Sequence, residues 1–259
     1  MMNIRVLGCH GSRHPGYNTT AFLLNDNILI DAGTVVSVLA QDDQAKIDYI
    51  LVTHAHLDHI KDIPFLADNI YYNRRKSPLI VISKDNILET IHTHLFNGDV
   101  WPDFTKIPDG DHPVMAFRPI ESNKSITIDG FKITAVEVNH AVETVAYVVE
   151  SADGTAIFIG DTGPTDEIWD IANKTDNLKA IFVETSLPDK MQHVADVTGH
   201  LTPAALDEEL RKLETLHTDV YLYHMKLMYR PFIKNELALL EKRNMHILQD
   251  GQIIRIGSV

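Results

Sequence analysis

Residues 53–60 read THAHLDHI, placing His54, His56, Asp58 and His59 directly after the apolar run DYILV. The run reads as a buried strand, and a rigid strand end can aim several side chains into one pocket. Any fold for this chain must bury that strand and still open its end onto a polar cavity. Neutral imidazole mixed with carboxylate is a donor set for zinc, manganese or iron rather than calcium. The four groups do not converge easily on one tetrahedral ion. Two ions resolve the geometry, so further donors are expected after other strands: His140 follows FKITAVEV, Asp161 follows TAIFIG and His224 follows VYLY.

Short β-rich segments recur in the first half, in NIRVLG, TAFLLND, NILIDAG and DYILVTH, with a hairpin expected at the Asn-Asp-Asn corner of LLNDNILID. LIVIS then runs into the helical KDNILETIHTHLF, followed by a Pro-, Gly- and Asp-rich loop over 97–113. The second half opens with SITID, FKITAVEV, TVAYVVE and TAIFIGD, the first two joined through Asp129-Gly130. Beyond them PTDEIWDIAN, KAIFVET, LTPAALDEELRKL, VYLYHM, RPFIKNELALLEKR and MHILQDGQIIRI alternate helix with strand. Thr202 before Pro203 is an N-cap with proline at the first helical position, and Leu206, Leu210 and Leu213 keep helical spacing. Two rounds of strands then helices predict an α/β (α+β) architecture of two face-to-face sheets with helices outside. Nothing linker-like or repeated divides the chain, so 1–259 is read as one domain.

The sequence resembles the metallo-β-lactamase superfamily, whose His-x-His-x-Asp-His signature is matched in full by His54, His56, Asp58 and His59. The resemblance implies a four-layer αββα sandwich. It also implies one divalent ion on His54, His56 and His140, a second on Asp58, His59 and His224, and Asp161 bridging them. Zinc is the first expectation, with manganese or iron accepted by the same donors. Such a pair acidifies a shared water and clamps an anionic substrate oxygen, which makes hydrolysis the natural outcome. Asp58 is also placed to orient the water.

Within that superfamily HAHLDHI, HLFNGDVWPDF over 94–104, ETSLPDKMQHVADVTGHLTP over 184–203 and YHMK over 223–226 look like class II cyclic-nucleotide phosphodiesterases; Lys61 and Asp62 replace the small residues usual there. Phosphodiester hydrolysis needs a proton for the departing alkoxide, and a histidine can donate it. His200 is the candidate acid, and its pairing with Glu184 resembles the Glu and His of tRNA 3′-processing endonucleases. Helix capping or local packing is the alternative for His200. Lys226 offers charge to a phosphate oxygen, or is a solvated lysine. Trp101 and Phe104 offer a stacking platform for a base, or anchor their loop on the core. His10 and His14, in the loop after the first strand, are pocket-wall candidates. The expected reaction is hydrolysis of 3′,5′-cyclic AMP or GMP to the 5′-monophosphate. An RNA-end nuclease and a lactone or thioester hydrolase are the alternatives.

Composition narrows the partners. With 23 Lys+Arg against 36 Asp+Glu the formal charge is −13, a poor field for gripping extended nucleic acid, so a small nucleotide is the expected partner. A lone cysteine excludes an internal disulfide, and no run approaches the roughly 18 apolar residues of a membrane span. A cytoplasmic location without membrane contact follows as the expectation, with a homodimer suggested by family habit.

Overall fold

The computed structural model describes residues 1–72, 77–215, 218–240 and 244–257. At the Asn-Asp corner Asn25 and Asp26 take φ of 46° and 68°, the left-handed conformation that a tight hairpin needs. They join β2 (Ala21–Leu24) to β3 (Ile28–Ile30) in antiparallel register, Phe22 opposite Ile30. Asp129 and Gly130, at 48° and 82°, turn β7 (Ser125–Ile128) into β8 (Phe131–Val138) in the same way.

Two seven-stranded sheets result among the described residues. The first contains β1 (Met2–Gly8), β2, β3, β4 (Tyr49–Leu51), β5 (Leu79–Ser83) and β6 (Met115–Pro119). The second contains β7, β8, β9 (Thr144–Ser151), β10 (Gly154–Phe158), β11 (Leu178–Glu184), β12 (Asp219–Tyr223) and β13 (Met245–Ile247). The final strand, β14 (Ile253–Ile256), returns to the first sheet and pairs antiparallel with β1. Strand alternation alone predicted neither that return nor β6, because a period of two identifies a buried face without naming the neighbour. Both sheets change from antiparallel to parallel pairing partway across. The parallel pairs are β3 to β6 in one sheet and β10 to β13 in the other.

Alternate residues sort the layers. Ile4, Val6, Leu24, Ile28 and Ile30 face inward with Phe158 and Phe182, and Phe22 touches Phe158, Phe182 and Tyr223 at centroid distances of 5.4 Å each. Leu23, Leu29 and Ile50 face outward onto α3 (Ile63–Tyr72) and α4 (Asp85–Leu95), whose Ile63, Leu66, Ile70, Ile87 and Ile91 complete that outer core. On the other side, Val136, Ile157 and Ile181 pack under α5 (Glu167–Lys174), α7 (Pro203–Arg211) and α8 (Arg230–Leu237). The order is helix, sheet, sheet, helix, the expected four-layer sandwich. In α7 the Thr202 side chain accepts the Ala205 N–H, so the N-cap and Pro203 act as read, while Leu213 lies buried just beyond the helix end. Helix α8 ends at Leu237, and residues 241–243 of the segment read as its continuation lie outside the described residues. No helix among the described residues is long and apolar enough to cross a membrane.

Candidate metal centre

The strands lead polar groups to one edge of the sandwich, between the two sheets. Asp31 follows β3, and His54 and His56 follow β4. Asp58 and His59 lie in the single turn α2 (Leu57–Ile60). From the other sheet His140 follows β8, Asp161 follows β10, Glu184 ends β11 and His224 follows β12. Ligand sites outside the carboxyl ends of parallel strands are the general habit of such sheets, because the loops there are free to vary over a rigid base. The close fit of Gly33 lets α2 sit so near: a Cβ there would come within 1.8 Å of the Asp58 carbonyl oxygen.

One donor group consists of His54, His56, His140 and Asp161, another of Asp58, His59 and His224, with the atoms of each group within 4.8 Å of one another. Asp161 Oδ2 lies between them, 3.8 Å from His54 Nε2, 3.5 Å from His59 Nε2 and 3.3 Å from His224 Nε2. His140 Nε2 is 3.2 Å from His56 Nδ1, and His224 Nε2 is 3.3 Å from Asp58 Oδ2. Ligand bonds of about 2.0–2.1 Å at tetrahedral angles set neighbouring donors roughly 3.3 Å apart, so these separations are those of a coordination shell. The decisive fit is chemical: His54 Nε2 and Asp161 Oδ1 are buried without any hydrogen-bond partner, an arrangement that costs free energy unless a cation satisfies them.

The remaining ring nitrogens are fixed from behind. His140 Nδ1–H donates to the Gly199 carbonyl at 2.7 Å, and His59 Nδ1–H to Asp31 Oδ2 at 2.7 Å. The Thr53 hydroxyl donates to Asp31, so it accepts from His54 Nδ1 at 3.0 Å; likewise Ser186 donates to Glu184 Oε2 at 2.6 Å and accepts from His224 Nδ1 at 2.9 Å. Each bond selects the tautomer that turns Nε2 toward the cluster. Burial pushes the His54 imidazole well below its usual range, with the His59 charge adding to it; His56 and His140 are lowered mainly by burial too. His59 goes the other way: burial opposes its charge, but Asp161 and Asp31 outweigh that and hold it well above the ordinary value. Burial works against ionised Asp58, yet the hydrogen bond from His224 and the charge of His59 keep its carboxyl well below the carboxylate range.

His200 sits over both groups, its ring 5.0 Å from His140 and 5.6 Å from His224 between centroids. Its Nδ1 lies 2.5 Å from Glu184 Oε1. Burial lowers its pKa, but the Glu184 charge and hydrogen bond prevail and raise it to about 9. Lys226 Nζ donates to the Gly11 carbonyl at 2.6 Å, and its charge reaches His200.

Two placements correct the sequence reading. Phe104 is only 3% exposed, inside the outer core of the first sheet, so it has no face on which a base could stack. His10 is 4% exposed, with Nε2 turned toward Asp250 at 3.5 Å, which leaves no free wall for a substrate pocket. Trp101 is half-buried against the same core and edge-on to Phe65 at 5.0 Å, its Nε1 unpaired. His14 is exposed along a groove of about 580 Å³ with Tyr17, Arg230 and Lys234. Asp31, Thr53 and Ser186 were not singled out from sequence. Asp31 did carry a signal, an acid ending the apolar run NILI, and its φ of 58° turns it back toward Thr53 and His59.

Two sheets in these four layers with histidines and aspartates gathered at one edge define the metallo-β-lactamase fold. The same fold is seen in the metallo-β-lactamase fold protein YhfI from Bacillus subtilis, with TM-score 0.79 and 19% identity over 98% of each chain. By sequence the chain belongs to the family of the β-lactamase superfamily domain, which matches residues 26–225. It is 30% identical over 154 residues to ribonuclease Z of Clostridium beijerinckii, covering 57% of this chain and 48% of that one. It is 26% identical over 196 residues to 3′,5′-cyclic-nucleotide phosphodiesterase 1 of Saccharomyces cerevisiae, covering 67% and 52%. The chain thus spans about half the length of these relatives. Divalent metal binding is the property the fold implies.

Proposed function

We propose that the chain is a metal-dependent phosphodiesterase that hydrolyses a small cyclic nucleotide, 3′,5′-cyclic AMP or GMP, to its 5′-monophosphate in the cytoplasm. His54, His56 and His140 would hold one divalent ion, Asp58, His59 and His224 a second, and Asp161 both; zinc suits these donors best, manganese or iron acceptably. When bound, such ions supply Lewis acidity toward water and toward the non-bridging phosphate oxygens. The protein's own groups do the rest. Asp58 accepts a proton-bearing edge of the attacking water and so orients it. As water adds to phosphorus and the bond to the 3′-oxygen breaks, His200 gives that oxygen its proton, and Glu184 keeps the ring turned and charged. Lys226 adds positive charge beside His200, His14 remains a candidate contact in its groove, and Trp101 anchors its loop on the outer core.

The observation that carries this reading is His200 lying across both donor groups with its second nitrogen bound to Glu184. A dedicated acid is what an alkoxide leaving group requires, and it is worth about 10²–10⁴ in rate. The yeast phosphodiesterase supports the cyclic-nucleotide substrate. The ribonuclease Z relative supports a second reading, processing of an RNA end by the same chemistry, against which the net charge of −13 weighs. The deciding experiment measures hydrolysis of cyclic AMP, cyclic GMP, a tRNA 3′ precursor, a lactone and a thioester by wild type and His200→Ala loaded with zinc, manganese or iron. Cyclic-nucleotide turnover that collapses in the variant is expected. Precursor cleavage alone moves the assignment to the nuclease, and ester turnover indifferent to the substitution overturns both. A small nucleotide partner and a homodimeric assembly complete the proposal.

A further inference from the structure

A second collection of donor atoms lies outside this centre. Cys9, the single cysteine of the chain, follows β1 and is 2% exposed; His10 beside it is 4% exposed. The pairing of β14 with β1 brings Asp250 onto them, 241 positions beyond Cys9 in the chain. Cys9 Sγ is 3.3 Å from Asp250 Oδ1 and 3.7 Å from His10 Nε2, and His10 Nε2 is 3.5 Å from Asp250 Oδ1. Around a tetrahedral ion with bonds of about 2.0–2.1 Å to nitrogen or oxygen and about 2.3 Å to sulfur, neighbouring donors stand roughly 3.3 Å apart, or roughly 3.6 Å when one is sulfur. The triangle has those dimensions. As a hydrogen bond its nitrogen–oxygen side is too long to contribute much.

We propose that Cys9, His10 and Asp250 bind a further divalent ion of the zinc type, separate from the histidine cluster. The carboxylate is already oriented for it: Oδ1 accepts the Cys9 N–H at 3.1 Å and Oδ2 the Asn18 N–H at 2.8 Å. Thiolate and carboxylate together balance the charge of a divalent ion, which suits a buried site. Burial and Asp250 push the Cys9 thiol well up, so the free protein keeps its proton; on binding, the ion takes the place of that proton, which leaves to solvent. Burial lowers the pKa of His10 and the Arg230 charge adds to it, outweighing the Asp250 carboxylate and favouring the neutral imidazole that ligation needs. Of the three, Asp250 reaches the surface, its side chain 19% exposed and bordering a hollow with His246, Gln249 and Gln252. Three donors leave coordination open to water or an added ligand, the pattern of an exchangeable site. The site also touches the first centre mechanically, because the Cys9 carbonyl accepts the His224 N–H at 2.8 Å.

The single cysteine makes the test direct, since a thiolate-to-cobalt charge-transfer band can arise at no other residue. Metal-free wild type, Cys9→Ser and Asp250→Asn are titrated with cobalt(II) chloride and followed in the near ultraviolet and the visible. The band is expected in wild type, with an amplitude at saturation that corresponds to one thiolate-bound cobalt per chain beyond the cobalt held by the histidine centre. It is absent in Cys9→Ser, and its midpoint shifts at least tenfold to higher cobalt in Asp250→Asn. Visible absorption from cobalt on histidine and aspartate needs no thiolate, so failure of the first centre and failure of this one are read separately. Cobalt bound to saturation by wild type with no thiolate band overturns the proposal, whether or not Cys9→Ser folds.

Discussion

The two halves of the histidine centre are built alike but backed differently. Behind His140 stands a neutral acceptor, the Gly199 carbonyl, and behind His54 the Thr53 hydroxyl, which itself donates to Asp31. Behind His59 stands the Asp31 carboxylate directly, and behind His224 the Glu184 carboxylate through Ser186. A charged acceptor makes a hydrogen bond roughly twice as strong and raises the basicity of the imidazole it holds. The half containing Asp58, His59 and His224 is therefore the more electron-rich and the more firmly oriented. It should hold its ion against chelation longer than the half containing His54, His56 and His140.

Removing what the halves share erases the comparison, so Asp161→Ala has the largest expected effect. Turnover should fall at least about 10³-fold, the upper scale for losing one electrostatic stabiliser, and bound metal measured by atomic emission should drop in both halves. His200→Ala comes next, with kcat down about 10²–10⁴-fold and metal content unchanged. A loss of metal in that variant would recast His200 as a ligand, which its distance to Asp161 and His224 permits.

Replacing the backing groups sharpens the difference. Asp31→Asn keeps the size of the side chain but removes its charge, and should weaken the ion on the His59 side about 10–100-fold. Thr53→Val removes a neutral acceptor and should weaken the His54 side less than about tenfold. Competition with a chelating dye resolves the two affinities, and equal losses would show that the carboxylate backing confers no asymmetry. Because Thr53 also donates to Asp31, the double variant is expected to lose less than the sum.

The difference between the halves was invisible in the sequence for a physical reason. Donors such as His54 and Asp161 announce themselves, because a polar ligand type at the end of an apolar strand is costly unless it has a task. Orienting groups carry no such mark: Thr53 and Ser186 are ordinary residues whose partners arrive from other strands. The sandwich was legible from the turns at 25–27 and 129–130 and the strand-then-helix order. The return of β14 was not, since IIRI alternates equally well beside any neighbour, and it is that return which delivers Asp250 to Cys9.

The 97–113 loop gives the smallest expected effect and the cleanest contrast with the centre. Its aromatics resembled a base platform in sequence because composition cannot distinguish an aromatic facing solvent from one facing a core. Phe104 is buried, and Trp101 packs on Phe65 with its indole N–H unpaired. In Trp101→Phe some contact area is lost, but a buried donor without a partner is also removed, and each change is worth about 1–3 kcal/mol with opposite sign. Stability measured by urea unfolding should therefore move by less than about 1 kcal/mol, and kcat/KM by less than about twofold. A stacked base would instead forfeit about 1–3 kcal/mol, roughly tenfold or more in KM, and that result would return Trp101 to the binding surface.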